Sequence, residues 1–192
     1  MKKDIILCGV GGQGILSIAT IIGEAATKAG VNLKQAEVHG MSQRGGDVQS
    51  NLRLSTEPIY SDLIAQGCCD VVISMEPMES LRYLPYLSKN GVIVTSNKPF
   101  INIPNYPEEA ALFEELDALP NEVIKLDIEQ VAKDAGNARG ANMVLLGMAA
   151  PFIEIVTVEQ LRSAIATIFA RKGEAIVEAN LKAFDEGVKA SK

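Results

Sequence analysis

One stretch near the N-terminus limits the folds open to this chain more than any other. An apolar run over residues 4–10 ends in Gly9-Val10-Gly11-Gly12-Gln13-Gly14. It passes directly into residues 13–29, where Ile15, Ile18, Ala19, Ile22, Ala25, Ala26 and Ala29 recur at helical spacing. Strand, G-x-G-x-x-G turn and helix in that order form the start of a nucleotide-binding type of unit. The first glycine permits the tight turn, the second lets a ligand approach backbone, and the third lets helix and strand pack closely. The helix start then offers free N–H groups and the positive end of its dipole, which suits a phosphate or carboxylate.

The rest of the chain continues the alternation. Short apolar runs predict strands at 32–38, 48–55, 70–75, 92–95 and 123–127. Helical spacing predicts helices at 77–87, 108–119, 128–135 and 141–151. Another helix starts at Thr157, with Gln160 completing a capping box, and runs to about Arg171; a last one covers 173–188. After the turn at Glu57-Pro58, Ile59-Tyr60 is expected to pair back, and Asn90-Gly91 is expected to turn. The proline-bearing stretch 96–107 is expected to be a loop. The fold class is α/β: a Rossmann-like, mainly parallel sheet with helices on both faces, plus C-terminal helices. Residues 1–192 are expected to form one domain. The first two strands are expected to be neighbours, so that the loops after them share the carboxyl edge where such folds bind ligands.

Composition removes several classes. With 47% hydrophobic and 22% charged residues the chain can build a core without staples. A net charge of −6 and no basic run argue against a nucleic-acid partner and against anionic membranes. No apolar stretch reaches the roughly 18 residues of a membrane span. Lys2-Lys3 before a short apolar run does not make a signal peptide, so a cytoplasmic protein is expected. Cys8, Cys68, Cys69 and His39 have no metal-ligand spacing, and no metal is expected on this chain.

A second concentrated feature follows the second strand, in His39-Gly-Met-Ser-Gln-Arg44-Gly45-Gly46-Asp47. Two glycines beside an arginine let backbone and a planar guanidinium face one small anion together. The candidate ligand-binding residues are Gly9, Gly11, Gly12, Gln13, Gly14, Arg44, Gly45, Gly46 and Asn142. Asn142 opens an apolar helix and can cap it or bond across to the glycine turn. Glu76 ends a buried strand, where it can orient a loop or a ligand, or complement a helix start. No catalytic residue is identified, and His39, without a nucleophile partner, reads as a structural hydrogen-bonder. Glu37, 23 residues beyond Gly14, keeps open a free-standing NAD(P)- or flavin-binding dehydrogenase. A non-enzymatic ligand-binding module of the same fold also stays open.

Taken in order, several segments carry a resemblance: Gly9 to Gly14; Gln43-Arg44-Gly45-Gly46; Asn51-Leu-Arg-Leu-Ser55 with Glu57-Pro58-Ile59; Asp70-Val-Val-Ile-Ser-Met-Glu76; and Gly136-Asn-Ala-Arg139 leading to Asn142-Met-Val-Leu-Leu-Gly147. Together they resemble the small, gamma-type subunit of the pyruvate/2-oxoacid:ferredoxin oxidoreductases, nearest the indolepyruvate branch. The resemblance implies a subunit that supports oxidative decarboxylation of a 2-oxoacid to an acyl-CoA, with ferredoxin as acceptor, and that is inactive alone. It places thiamine diphosphate and iron–sulfur clusters in a large partner subunit and makes ferredoxin an indirect partner. It puts coenzyme A within reach of this chain. A homodimer is one form the isolated chain could take.

Overall fold

The computed structural model describes residues 1–39 and 45–191, with His39 in its backbone only. Among the described residues six strands form one sheet in the order β2-β3-β1-β4-β5-β6. These are β1 (Lys2–Val10), β2 (Asn32–His39), β3 (Asp47–Ser55), β4 (Cys69–Ser74), β5 (Leu87–Ser96) and β6 (Glu122–Leu126). The run β1, β4, β5, β6 is parallel, whereas β3 pairs antiparallel with both β1 and β2.

Period-two alternation divides the central strands between two cores. Ile5 and Leu7 of β1, Val71 and Ile73 of β4 and Val94 of β5 face the larger one. Ile6, Cys8, Val72 and Ile93 face a smaller one, with Ile64, Cys69, Tyr83 and Leu87. Helix α1 (Ile15–Lys28) and the buried α5 (Ala141–Ile153) supply the larger core, with α4 (Ile128–Asp134), α6 (Val158–Phe169) and α7 (Glu174–Ala190) around them. Tyr83, Leu84 and Tyr86 just after α2 (Pro77–Leu81) cover the second face, and α3 (Glu109–Asp117) packs beside α2. Helices therefore lie on both faces, with the C-terminal helices added to one of them. The capping box at Thr157 is present: Gln160 N–H donates to its hydroxyl at 3.2 Å, and the Thr157 N–H donates to Gln160 Oε1 at 2.7 Å.

The expectation that β1 and β2 are neighbours is wrong, because β3 lies between them. Val48, Ser50, Asn51, Leu52 and Leu54 of β3 are all buried, which only an interior position permits. By contrast β2 carries Asn32, Lys34, Gln35 and Glu37, all exposed, a composition suited to a sheet edge. A short connection also favours an antiparallel pair over a parallel one. The register of β3 on β1 is held by a buried ion pair at Asp4↔Arg53: Arg53 Nε and Nη2 donate to the two carboxylate oxygens at 2.8 and 3.1 Å. The hydrogen-bonded Asp4 carboxylate raises the Arg53 pKa further, so the guanidinium stays charged.

Three smaller expectations also fail. The helix from Pro77 stops at Leu81 and gives way to a 3-10 turn at Leu84–Tyr86, because Pro85 has no N–H to continue it. Asn90-Gly91 lies inside β5 as an irregularity: from Cys69↔Leu87 to Val71↔Val92, β4 advances two residues and β5 five. Ile59-Tyr60 forms no strand; Arg53 Nη1 instead donates to the carbonyls of Ser61 and Leu63 and shapes that loop.

Candidate functional site at the carboxyl edge of the sheet

Strand β1 ends at Val10, and the chain turns through Gly11 to Gly14 before α1. Gln13 closes this turn on itself: the Val10 N–H donates to Gln13 Oε1 at 2.8 Å and the Gln13 N–H to the Val10 carbonyl at 3.1 Å. Gly14 stands at the N-cap of α1 with φ +87°, in the left-handed region. A Cβ there would lie 2.6 Å from Asn142 Nδ2, which donates to the Gly14 carbonyl at 3.3 Å. Asn142 thus bonds across to the glycine turn, and Gly140 rather than Asn142 is the N-cap of α5.

The second glycine pair lies against the first turn. Gly11 N–H donates to the Gly46 carbonyl at 2.8 Å, and Gly45 N–H to the Gly11 carbonyl at 3.3 Å. The two loops share one edge despite the intervening strand, since β3 begins beside the end of β1, with Val10 opposite Asp47. Arg44 lies outside the described residues.

A cavity of about 400 Å³ opens here, lined by Val10, Gly11, Gly12, Gly14, Ile15, Leu16, Ser17 and Val48. No side chain caps α1. Among the described residues the N–H groups of Gly12, Gly14, Ile15 and Leu16 have no hydrogen-bond acceptor, whereas those of Gly11 and Gln13 do. The first turn of α1 therefore presents unpaired donors to a cavity with no charged side chain in its described lining, which favours an anion. Ile15, Leu16, Ser17 and Val48 were not singled out from the sequence. The first three belong to the helix start that the glycine turn opens, whereas Val48 could be found only once β3 is known to lie beside β1.

A third loop completes the edge. Asn102, between β5 and α3, donates from Nδ2 to the Gly45 carbonyl at 2.9 Å. Its loop is anchored by Glu76, which is fully buried at the N-cap of α2. Glu76 Oε2 accepts from the Glu79 N–H at 2.9 Å, and Oε1 accepts from the Phe100 N–H at 3.3 Å and from the Tyr106 hydroxyl. Burial, together with the adjacent Glu76 carboxylate, pushes the Tyr106 hydroxyl pKa up, so it remains a donor.

Beneath the turn sits a second set of titratable groups. Glu79 is buried, and desolvation pushes its pKa up to about 7; Arg82 opposes the shift, while Asp47 and Glu76 add to it. Arg82 Nε lies 2.7 Å from Glu79 Oε2, but that oxygen receives no well-aligned hydrogen bond among the described residues. The contact is Coulombic, and incomplete as compensation. The Tyr83 hydroxyl donates to Asp47 at 3.3 Å. Burial also pushes the Cys8 thiol well up and Cys69 up to about 12, so both are inert neutral thiols. Among the described residues no group of three His, Cys, Asp or Glu side chains could hold a metal ion.

The geometry removes the basis for a dinucleotide reading. Glu37 lies across β3 from Leu7 of β1, in the row Glu37↔Ser50↔Leu7, so it is two strand spacings, roughly 10 Å, from β1. Its Oε1 accepts from Gln35 Nε2 at 2.5 Å on the exposed edge.

Comparison with known proteins agrees. The model of the pyruvate ferredoxin/flavodoxin oxidoreductase family matches residues 4–190. The chain is 37% identical to indolepyruvate oxidoreductase subunit IorB of Pyrococcus horikoshii, over 100% of this chain and 98% of that one. The solved gamma subunit of a keto/oxoacid ferredoxin oxidoreductase from Geobacter sulfurreducens superposes with a TM-score of 0.72 at 27% identity, covering 98% of each chain. A 2-oxoglutarate:ferredoxin oxidoreductase from Magnetococcus marinus, solved with 2-oxoglutarate, coenzyme A and succinyl-CoA bound, superposes with a TM-score of 0.76. It covers 99% of this chain and 31% of that one at 22% identity, a likeness of fold alone. The chain belongs to the pyruvate ferredoxin/flavodoxin oxidoreductase family, as a gamma-type subunit of a multi-subunit 2-oxoacid:ferredoxin oxidoreductase.

Proposed function

We propose that this subunit serves an indolepyruvate-type enzyme and holds coenzyme A through one of its phosphates at the glycine turn. The observation that carries the reading is the cavity at the start of α1, with its unpaired amides and Gly45-Gly46 hydrogen-bonded along its border. Relatives named as indolepyruvate oxidoreductase subunits, at 34–37% identity over 97–100% of the chain, support the aryl 2-oxoacid. An enzyme of this fold with coenzyme A bound supports the thioester-forming step.

In this reading thiamine diphosphate and the iron–sulfur clusters belong to the large partner subunit, and ferredoxin takes the electrons there. Thiamine diphosphate supplies the electron sink for decarboxylation. The present chain supplies position. The amides of Gly12, Gly14, Ile15 and Leu16 fix a phosphate by hydrogen bonds and helix dipole. Arg44, two residues before the Gly46 carbonyl held by Gly11, adds the cation that the described lining lacks. The exposed side chains of Leu16, Val38, Phe100 and Ile101 flank the same edge and give the large subunit an apolar surface to cover. Met75 belongs to the core and Met78 is half-buried, so neither extends this surface; Met41 lies outside the described residues. No described helix is long and apolar enough to cross a membrane, and with its three cysteines unpaired we infer a cytoplasmic setting.

Isothermal titration of coenzyme A into the assembled complex tests the site. Arg44→Ala should weaken binding by roughly 1.5–3 kcal/mol, the range for hydrogen bonds to a charged group. Unchanged affinity and turnover would remove Arg44 and the phosphate cradle from the reading.

A further inference from the structure

Three loops meet at the carboxyl edge, joined by two sets of hydrogen bonds that the backbone of residues 100–106 connects. The first starts at the buried carboxylate of Glu76, whose Oε1 accepts from the Phe100 N–H and the Tyr106 hydroxyl. These two donors lie on either side of Asn102, which donates to the Gly45 carbonyl at 2.9 Å. Gly45 N–H in turn donates to the Gly11 carbonyl, and Gly11 N–H to the Gly46 carbonyl. The other oxygen of Glu76 caps α2 through the Glu79 N–H.

A helix cap needs one acceptor and does not need to be fully buried. Glu76 is fully buried and spends its second oxygen on a loop 24 and 30 residues further along the chain. A buried carboxyl group with three donors is costly to move, because each lost donor leaves a buried polar atom unpaired. Elsewhere the loop is tied at its start, where the Asn97 N–H donates to the Leu126 carbonyl at 2.9 Å, and by an internal turn from the Tyr106 N–H to the Ile103 carbonyl at 3.3 Å. Phe100 and Ile101 are exposed, and residues 97–108 contain no helix or strand.

We propose that Glu76 is a positioning residue for the coenzyme A step: through Tyr106, Phe100 and Asn102 it sets the placement of the Gly45-Gly46 backbone against the Gly11 turn. This rests on the reading of the α1 cavity given above. Glu76 itself touches no reactant. It determines whether the amides at the turn and the neighbouring glycine pair keep the separation that one phosphate group requires, and a shift of an ångström there is felt in binding.

The test uses the complex co-expressed with its large partner subunit, assayed with indole-3-pyruvate, coenzyme A and ferredoxin. Asn102→Ala and Tyr106→Phe each cut one set of bonds without touching the α2 cap. Each should raise KM for coenzyme A by about fivefold to tenfold, the scale of one lost hydrogen bond, with a smaller change in kcat. Glu76→Asp keeps a good N-cap but is one methylene too short to reach the loop. It should lose some thermal stability with the two donors it abandons and raise that KM, while Asn102→Ala and Tyr106→Phe, which leave the cap in place, show the KM effect apart from the cap. Ser17→Phe, which fills the cavity from α1, serves as the reference. If Ser17→Phe raises KM for coenzyme A while Asn102→Ala, Tyr106→Phe and Glu76→Asp leave it unchanged, the cavity reading stands and Glu76 is only a cap. If Ser17→Phe also leaves it unchanged, the cavity reading falls and the proposal with it.

Discussion

Glu79 gives this domain a pH response of its own. Its carboxyl is held protonated up to about pH 7, chiefly by burial, against an ordinary value of 4.5. The folded state therefore keeps a proton that the unfolded chain releases. The associated stability is fully present below about pH 4.5 and is lost as pH rises through about 7. Glu79→Gln removes the titration. Relative to wild type it should be more stable at pH 8 by about 1–2 kcal/mol, discounted for the Arg82 contact, with the advantage vanishing near pH 4. Urea unfolding of both proteins at the two pH values measures this, and a difference independent of pH would show that Glu79 ionises normally. At this scale the sequence showed some partners and hid others. Asn142 could be paired with the glycine turn as one of two readings, because it opens a helix in a fold where helix starts gather at one edge. Asn102 could not be paired with Gly45, since they stand 57 positions apart and no local pattern brings them together.

Among the elements, α5 and α7 cross where both carry glycine. A Cβ on Gly147 would lie 2.1 Å from the Phe184 carbonyl oxygen, and one on Gly187 would lie 2.0 Å from the Val144 carbonyl oxygen. Neither obstacle is a side chain that can swing away, so the helices would have to separate. Gly147→Ala should cost about 3 kcal/mol or more despite the better helix propensity of alanine, and denaturant unfolding would read the loss. A neutral or stabilising result would mean that the two backbones are further apart than described. The elements also show why the sequence pointed to the correct fold class and one wrong neighbour. Runs such as Val71-Val-Ile-Ser74 and Val92-Ile-Val-Thr95 are apolar on both faces and announce interior parallel strands. Periodicity says nothing of which strand lies beside which. The relevant signal was the contrast between polar Lys34-Gln35-Ala-Glu37 and the alternation of Leu52 and Leu54, which separates edge from interior only when the two strands are compared. Pro85 carries the signal for the early end of α2, since a residue without an N–H cannot continue the helix that the spacing over 77–87 suggests.

At the scale of the molecule, the exposed apolar side chains at the carboxyl edge make the isolated chain an incomplete object. Assay of the chain alone, of the large subunit alone and of the pair should show ferredoxin reduction only with the pair. Hydrogen–deuterium exchange should show peptides spanning 11–17 and 97–103 gaining protection on assembly, with no gain at 55–62, beside the amino end of β1. Protection confined to the latter would place the partner elsewhere. The antiparallel β3 between β1 and β2 carries one further consequence. It forms a hairpin with β2, with His39 opposite Val48 at the end where the two strands are joined. A hairpin tip can gain or lose residues without disturbing how the remaining strands align, since loop length is cheap in free energy. Related enzymes can thus diversify at the rim of the cavity, trading one preference for another, while the chassis that carries the rim stays constant.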